Sequence, residues 1–127
     1  VIQPTYLVVY TYHNNGVLDD CLVEIYETYD DWNYGENVLA SGYTNENGII
    51  LFSGFESNMG SSDEKLYYIS IYKDRGDGFY HNWYIQYSEN LYKTNVKKNM
   101  INEVDIYGYF SYSEKKTNKR AMYGSPG

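Results

Sequence analysis

The sequence predicts an all-β protein, built as a single antiparallel β-sandwich of about seven strands. The chain has 127 residues, which is enough for one domain with a hydrophobic core. Its 18 tyrosines favour half-buried pleated surfaces. Short apolar or alternating segments recur between clusters of turn residues, and no segment has the apolar period of a helix of ordinary length.

The strongest turn signal lies in the middle of the chain, in segment 41–52. Asn47 and Gly48 accept a positive φ at little cost, and an apolar strand follows them at once. The pattern predicts a hairpin that joins a strand at 37–44 to a strand at 48–55. Ile50 and Phe52 are expected to face the core.

The other predicted strands are β-branched and aromatic segments at 5–12, 21–29, 65–73, 79–87 and 101–110. Segments 30–35 and 56–64 are expected to be loops, and segment 88–99 is polar and basic without a convincing period. Alternation places Val23 and Ile25 on the core face of the second strand. It places Glu103, Asp105 and Tyr107 on the solvent face of the last strand.

The sandwich is expected to span residues 1–112, followed by a loosely packed basic tail at 113–127. The tail contains Lys115, Lys116, Lys119 and Arg120 without an apolar period, which is typical of a peripheral segment.

Charge is distributed unevenly along a chain whose formal net charge is -7. Residues 1–64 contain no Lys or Arg, whereas residues 65–127 contain all 10 of the basic residues. The acidic first half repels phosphate backbones, so nucleic acid is not an expected partner.

Cys21 is the single cysteine, and an internal disulfide is therefore excluded. No apolar run approaches the length of a membrane span, so no direct membrane insertion is expected within this chain. The sequence begins at Val1, which is consistent with a processed exported protein or a trimmed chain.

Three segments together resemble a known family. They are 14–25 (with Asn-Asn-Gly-Val-Leu and Leu-Val-Glu-Ile), 40–48 (Ala-Ser-Gly-Tyr-Thr-Asn-Glu-Asn-Gly) and 67–71 (Tyr-Tyr-Ile-Ser-Ile). Their order resembles the transthyretin-like, or prealbumin-like, β-sandwich domains, including the carboxypeptidase regulatory-like modules. In those domains a Thr-Asp-x-x-Gly turn precedes a strand, and here Asn45 stands where Asp is usual. The resemblance covers about residues 5–73 and implies a Greek-key sandwich.

The Tyr/Asn-rich, Cys-poor composition is similar to that of exported lipoproteins of Bacteroides-type gut bacteria. This resemblance implies a location at the outer surface or in the periplasm, with a lipid anchor upstream of residue 1 as one possibility.

Some transthyretin-like proteins hydrolyse 5-hydroxyisourate with several His, an Arg and a C-terminal Tyr-Arg-Gly-Ser. This chain has only His13 and His81, and no Arg separates Tyr123 from Gly124. Other members form an internal amide bond from a Lys of the first strand, whereas the first Lys here is Lys65. The departures predict no catalytic residues and no enzyme activity.

Metal and cofactor sites are not expected either. The carboxylate pair Asp74 and Asp77 supplies too few oxygens for Ca²⁺. A Cys–His nucleophile would need Cys21 beside a His, and a small buried hydrophobe in an alternating strand is the simpler interpretation.

Two aromatic segments form the candidate ligand-binding site: Asp31, Trp32, Asn33 and Tyr34 in the loop 30–35, together with Trp83. Trp and Tyr stack on flat sugar faces, and Asp and Asn bind hydroxyls, so a neutral glycan or another protein surface is the expected partner. The competing interpretation is that Trp32 folds back over the core. The expected function is a non-enzymatic structural or adhesive module, with a carbohydrate-binding module as the alternative and a 5-hydroxyisourate-type hydrolase as the third.

Overall fold

Strands predominate in the structure, a computed structural model that describes residues 2–13, 16–74, 79–85 and 93–114. These ranges contain nine strands and two short helices: β1 (Tyr6–His13), β2 (Gly16–Val17), β3 (Leu22–Tyr26), α1 (Tyr29–Tyr34), β4 (Ala40–Tyr43), β5 (Ile49–Phe52), α2 (Glu56–Met59), β6 (Glu64–Asp74), β7 (Phe79–Ile85), β8 (Lys93–Lys97) and β9 (Ile101–Glu114). The predicted all-β class is confirmed.

The first sheet is built around β1. Strand β5 pairs antiparallel with one edge of β1, and the first half of β9 pairs with the other edge. The β1–β9 pair is parallel, with Tyr6 opposite Ile101 and Tyr12 opposite Tyr107. The prediction of purely antiparallel pairing is therefore wrong for this pair. The short β2 pairs antiparallel with the end of β1.

The second sheet is built around β6. Strand β3 pairs with one edge of β6 and carries β4 on its own outer edge. On the other edge of β6, β8 pairs along residues 64–68 and β7 pairs along residues 71–74. The second half of β9 pairs with β7, so that one long strand links the two sheets. All of these pairs are antiparallel.

Buried side chains from both sheets form one hydrophobic cluster. Leu7 and Val9 of β1 belong to it together with Val23 and Ile25 of β3, as the alternation predicts. Phe52 is also buried in this cluster, and Ile50 packs against it, which confirms their predicted inward direction.

The other face of the second sheet is covered as well. Glu24 and Tyr26 of β3 and Ser70 and Tyr72 of β6 are all buried, although they alternate with the core residues. Tyr26 donates a hydrogen bond from its hydroxyl to Glu24 Oε1 at 3.0 Å. Strand β3 and residues 69–72 of β6 are thus buried on both faces, which a half-buried alternating pattern does not predict.

The predicted hairpin is instead a corner between the two sheets. Strand β4 pairs with β3, whereas β5 pairs with β1. The turn itself is tight, since the Gly48 N–H donates to the Asn45 carbonyl at 2.9 Å, and Gly48 has a φ of +75°. The turn chemistry was predicted correctly, but the strands that it joins have different partners.

Two predicted loops and the polar segment 88–99 contain regular structure. Segment 30–35 lies largely in α1, and segment 56–64 begins with α2. Segment 88–99 contains β8, whose buried Val96 is the apolar residue that anchors it. Both helices are too short for an apolar period, and β8 has one buried residue, Val96, with backbone pairing to β6 along residues 64–68.

The last strand runs to Glu114, beyond the predicted domain limit at residue 112. Residues 115–127, which make up most of the predicted tail, lie outside the described part of the chain. The predicted turn at 13–16 falls partly outside it too, because residues 14 and 15 are not described.

Candidate functional site

The predicted ligand-binding segment forms helix α1, and local capping explains why. The Thr28 hydroxyl accepts a hydrogen bond from the Asp31 N–H at 3.1 Å, which satisfies one of the free donors of the first turn. Gly35 ends the helix in the left-handed conformation, with φ of 66°. Asp30 and Asp31 lie in the first turn, where the helix dipole favours negative charge.

Trp32 is directed back onto the second sheet. Its indole Nε1–H donates to the Ile69 carbonyl of β6 at 2.9 Å, and the side chain is half-buried. On one edge of β6, Ile69 pairs with Ile25 of β3. On the other edge, Ile69 lies between residues 64–68, which pair with β8, and residues 71–74, which pair with β7. The indole therefore binds a backbone carbonyl of β6 between the residues that pair with β8 and those that pair with β7.

The other predicted site residues differ in exposure and in hydrogen bonding. Asp31 accepts a hydrogen bond from Asn37 Nδ2 at 3.0 Å, Asn33 is half-buried, and Tyr34 is 42% exposed. Trp83 lies in β7 opposite Ile71, and its side chain falls outside the described part of the structure. The structure thus brings Asp31, Trp32, Asn33 and Tyr34 together in α1, and it does not test whether the Trp83 ring joins them.

A second candidate surface lies on the outer face of the first sheet, which we call the tyrosine face. Strand β1 turns Leu7, Val9 and Thr11 inward, where they are buried. The alternate positions are half-buried and form the centre of the tyrosine face: Tyr6, Val8, Tyr10 and Tyr12.

Strands β5 and β9 complete the tyrosine face on either side of β1. Leu51 of β5 lies opposite Val8 and is 54% exposed. Ile101 and Tyr107 of β9 are 56% and 49% exposed, and Glu103 and Asp105 between them are exposed too. The outward direction predicted for Glu103, Asp105 and Tyr107 is confirmed.

Ring stacking and one hydrogen bond fix side chains on the tyrosine face. Tyr12 and Tyr107 stack with ring centroids 4.8 Å apart and planes 16° apart. The Tyr10 hydroxyl donates to Glu103 Oε2 at 2.6 Å. This hydrogen bond to a carboxylate raises the pKa of Tyr10 above its ordinary value of 10.0. Desolvation, followed by the charge of Asp105, raises the pKa of Tyr12.

Sequence reasoning did not identify the tyrosine face as a site, although part of the signal was available. The outward residues of the last strand were predicted one by one. The first strand was ambiguous, because both of its faces carry apolar or aromatic groups. The outward residues of β1 and those of β9 lie side by side because the two strands pair in parallel. No local sequence pattern indicates this pairing.

Cys21 is placed as a core residue. It is fully buried, and desolvation raises the pKa of its thiol to about 12. At neutral pH the sulfur is therefore protonated and shielded, which is the opposite of what a nucleophilic cysteine needs.

In the described ranges, no group of three or more His, Cys, Asp or Glu side chains is arranged to hold a metal ion. Neither of the two described helices has the length and apolar character needed to cross a bilayer.

The chain matches no protein-family model, and no curated protein is significantly similar to it.

Proposed function

We propose that this chain is a non-enzymatic β-sandwich module with a structural or adhesive role. Two features support a sandwich of the transthyretin-like type. Buried side chains from both sheets meet in one cluster, and the chain passes from the second sheet to the first through the corner at 44–48. The Thr44-Asn45-Glu46-Asn47-Gly48 turn of the family resemblance occupies that corner.

The observation that carries the structural role is the hydrogen bond from Trp32 Nε1 to the Ile69 carbonyl. A sugar platform needs an aromatic ring with an exposed face, whereas Trp32 is half-buried against the second sheet. The polar edge of Trp32 is already used by the protein backbone. This favours the interpretation in which Trp32 covers the sheet over the carbohydrate-binding alternative.

The proposal includes export, with the module at the outer surface or in the periplasm of a bacterium. Its support is compositional: many tyrosines and asparagines, a single cysteine, and an acidic net charge. A buried, protonated Cys21 suits a domain that needs no disulfide in an oxidising compartment.

Substitution of Trp32 separates the structural role from glycan binding. Trp32→Phe keeps the ring but removes the indole donor, so we expect a loss of about 1 kcal/mol in the free energy of unfolding. Urea titration measures this change, and a glycan array measures binding. We expect no glycan binding by the wild type and none by the variant.

Acrylamide quenching of Trp32 fluorescence in a Trp83→Phe background gives an independent measure of exposure. We expect weak quenching that no glycan changes. Strong quenching, together with glycan binding that Trp32→Phe abolishes, would support the carbohydrate-binding alternative instead. Turnover of 5-hydroxyisourate that is lost in His13→Ala would contradict the non-enzymatic role.

A further inference from the structure

The tyrosine face combines exposed apolar groups, tyrosine rings and two carboxylates in one surface. We infer that it binds a basic polypeptide segment of a partner protein in extended conformation, with Glu103 and Asp105 accepting the partner's Lys or Arg side chains. This inference rests on the adhesive role proposed above and names the class of partner.

Charge is the first argument. Glu103 and Asp105 are exposed at adjacent outward positions of β9, and the residues that form the tyrosine face include no Lys or Arg. Outward positions two residues apart on a strand are about 6.6 Å apart along its axis. Alternate side chains of an extended peptide repeat at the same interval, so two cations of such a peptide match the two carboxylates in spacing.

Aromatic and apolar area is the second argument. The stacked rings of Tyr12 and Tyr107 lie beyond Asp105 at one end of the face, and the exposed Ile101 lies beyond Glu103 at the other. The exposed Leu51 lies across β1 from Glu103, since both are opposite Val8. Clustered exposed apolar residues mark interaction surfaces, and tyrosine is enriched in protein interfaces. Tyrosine faces also attract Lys and Arg through cation–π interactions.

The hydrogen bond from the Tyr10 hydroxyl to Glu103 Oε2 is the third argument, because it fixes one carboxylate before a ligand arrives. A carboxylate held in place loses less conformational entropy on binding.

Other occupants fit the tyrosine face less well. A second copy of the chain, docked through the same face, would place Glu103 and Asp105 of each copy near the like charges of the other. A neutral glycan would find no hydrogen-bonding groups at Leu51 and Ile101, where the exposed area is aliphatic.

The test uses the full chain and two short synthetic peptides, one of alternating Lys and Val and one of alternating Glu and Val. Isothermal titration calorimetry measures both affinities at low and at high salt. We expect the Lys–Val peptide to bind, with an affinity that falls as salt rises, and the Glu–Val peptide not to bind. Equal binding of both peptides, or of neither, would overturn the inference.

Two matched double variants assign the binding to the tyrosine face. Glu103→Gln/Asp105→Asn removes two charges from the face, and we expect affinity for the Lys–Val peptide to fall about fivefold. Asp63→Asn/Glu64→Gln removes two exposed charges at the start of β6 in the second sheet, and we expect no comparable loss. Equal losses in the two variants would show net-charge attraction only and overturn the inference.

Further readouts separate this inference from the proposed function. Circular dichroism and urea unfolding check that both double variants keep the fold. Concentration-dependent dimerisation that Glu103→Gln/Asp105→Asn strengthens would identify a second copy as the occupant, and glycan competition would identify a sugar. Either outcome contradicts the peptide site. The proposed function is contradicted instead by enzyme turnover or by glycan binding that depends on Trp32.

Discussion

Gly48 is the residue at which local conformation and packing are most demanding. Its φ is +75°, and an added Cβ would lie 2.8 Å from the Thr11 carbonyl oxygen and 3.0 Å from Val17 Cβ. For Gly48→Ala we expect a cost of about 1–2 kcal/mol for the left-handed conformation. The close contact should add about 1–3 kcal/mol, because the backbone carbonyl of Thr11 cannot rotate away. Chemical denaturation measures the sum.

Gly54→Ala is the matched control, since Gly54 has a φ of +85° but nothing within 4 Å of an added Cβ. It should show the conformational cost alone. If Gly48→Ala and Gly54→Ala destabilise the protein equally, the packing of Gly48 against β1 is not as described. The sequence predicts the positive φ from Asn47-Gly48, but the contact with Thr11 depends on tertiary structure.

The corner between the sheets is fixed by two buried threonines. The Thr44 hydroxyl donates to the Leu18 carbonyl at 2.8 Å and accepts from the Cys21 N–H at 3.0 Å. The Thr11 hydroxyl also donates to the Leu18 carbonyl at 2.8 Å, and it lies 3.2 Å from the Gly48 carbonyl. Thr44 thus connects the turn to the start of β3, and Thr11 connects β1 to the same carbonyl.

Valine substitutions distinguish the two hydroxyls at nearly constant shape. Thr44→Val leaves the buried Cys21 N–H without its acceptor, so we expect a loss of about 1–3 kcal/mol. Thr11→Val removes a donor but leaves no acceptor without a partner. The Leu18 carbonyl still accepts from the Thr44 hydroxyl, and the Gly48 carbonyl still accepts from the Thr11 N–H at 2.8 Å. Urea midpoints should therefore fall further for Thr44→Val. The reverse order would contradict the hydrogen-bond assignment.

Strands rich in β-branched and aromatic residues are predictable from the sequence, and the short or polar elements are not. Strands β1 and β6 lie within one residue of their predicted bounds, and β9 begins at the predicted Ile101 but continues past residue 110 to Glu114. Helix α1 was missed because a helix of six residues has no apolar period to detect, although Thr28 three residues before Asp31 and the closing Gly35 are a readable pair of caps. Strand β8 was missed because Val96 is the one buried residue in a polar segment.

At the scale of the whole molecule, the sequence supports the class of fold but not the pairing that creates surfaces. The corner at Gly48 was interpreted as a hairpin because turn chemistry is local, whereas strand partners are set by long-range packing. The candidate residues Asp31, Trp32, Asn33 and Tyr34 are neighbours in the sequence, and Trp83 was added to them for its aromatic ring. The tyrosine face is assembled from β1, β5 and β9, which are far apart in sequence, so proximity could not reveal it.

Two carboxylates link distant parts of the chain and make stability depend on pH. Glu27 pairs with Lys65 Nζ, which lowers the pKa of Glu27 below its ordinary value of 4.5. Glu56 Oε2 accepts from the Thr5 N–H at 2.6 Å, which lowers the pKa of Glu56 in the same direction. Each carboxylate therefore stabilises the fold at pH values above the unfolded-state pKa, and its contribution is lost as pH falls through the lower folded-state pKa.

We expect the urea midpoint of the wild type to fall as pH is lowered from neutral to below about 4. Glu56→Gln keeps an acceptor for the Thr5 N–H but cannot titrate, so its midpoint should fall less steeply over that range. Glu27→Gln should flatten the profile in the same way, because an amide gains little from Lys65. Glu46→Gln, at an exposed position of the 44–48 turn, removes a carboxylate without a described partner and is the control. The urea midpoint of Glu56→Gln could instead fall with pH as steeply as the midpoints of the wild type and Glu46→Gln. This result would show that the hydrogen bond between Glu56 and the Thr5 N–H does not contribute to stability.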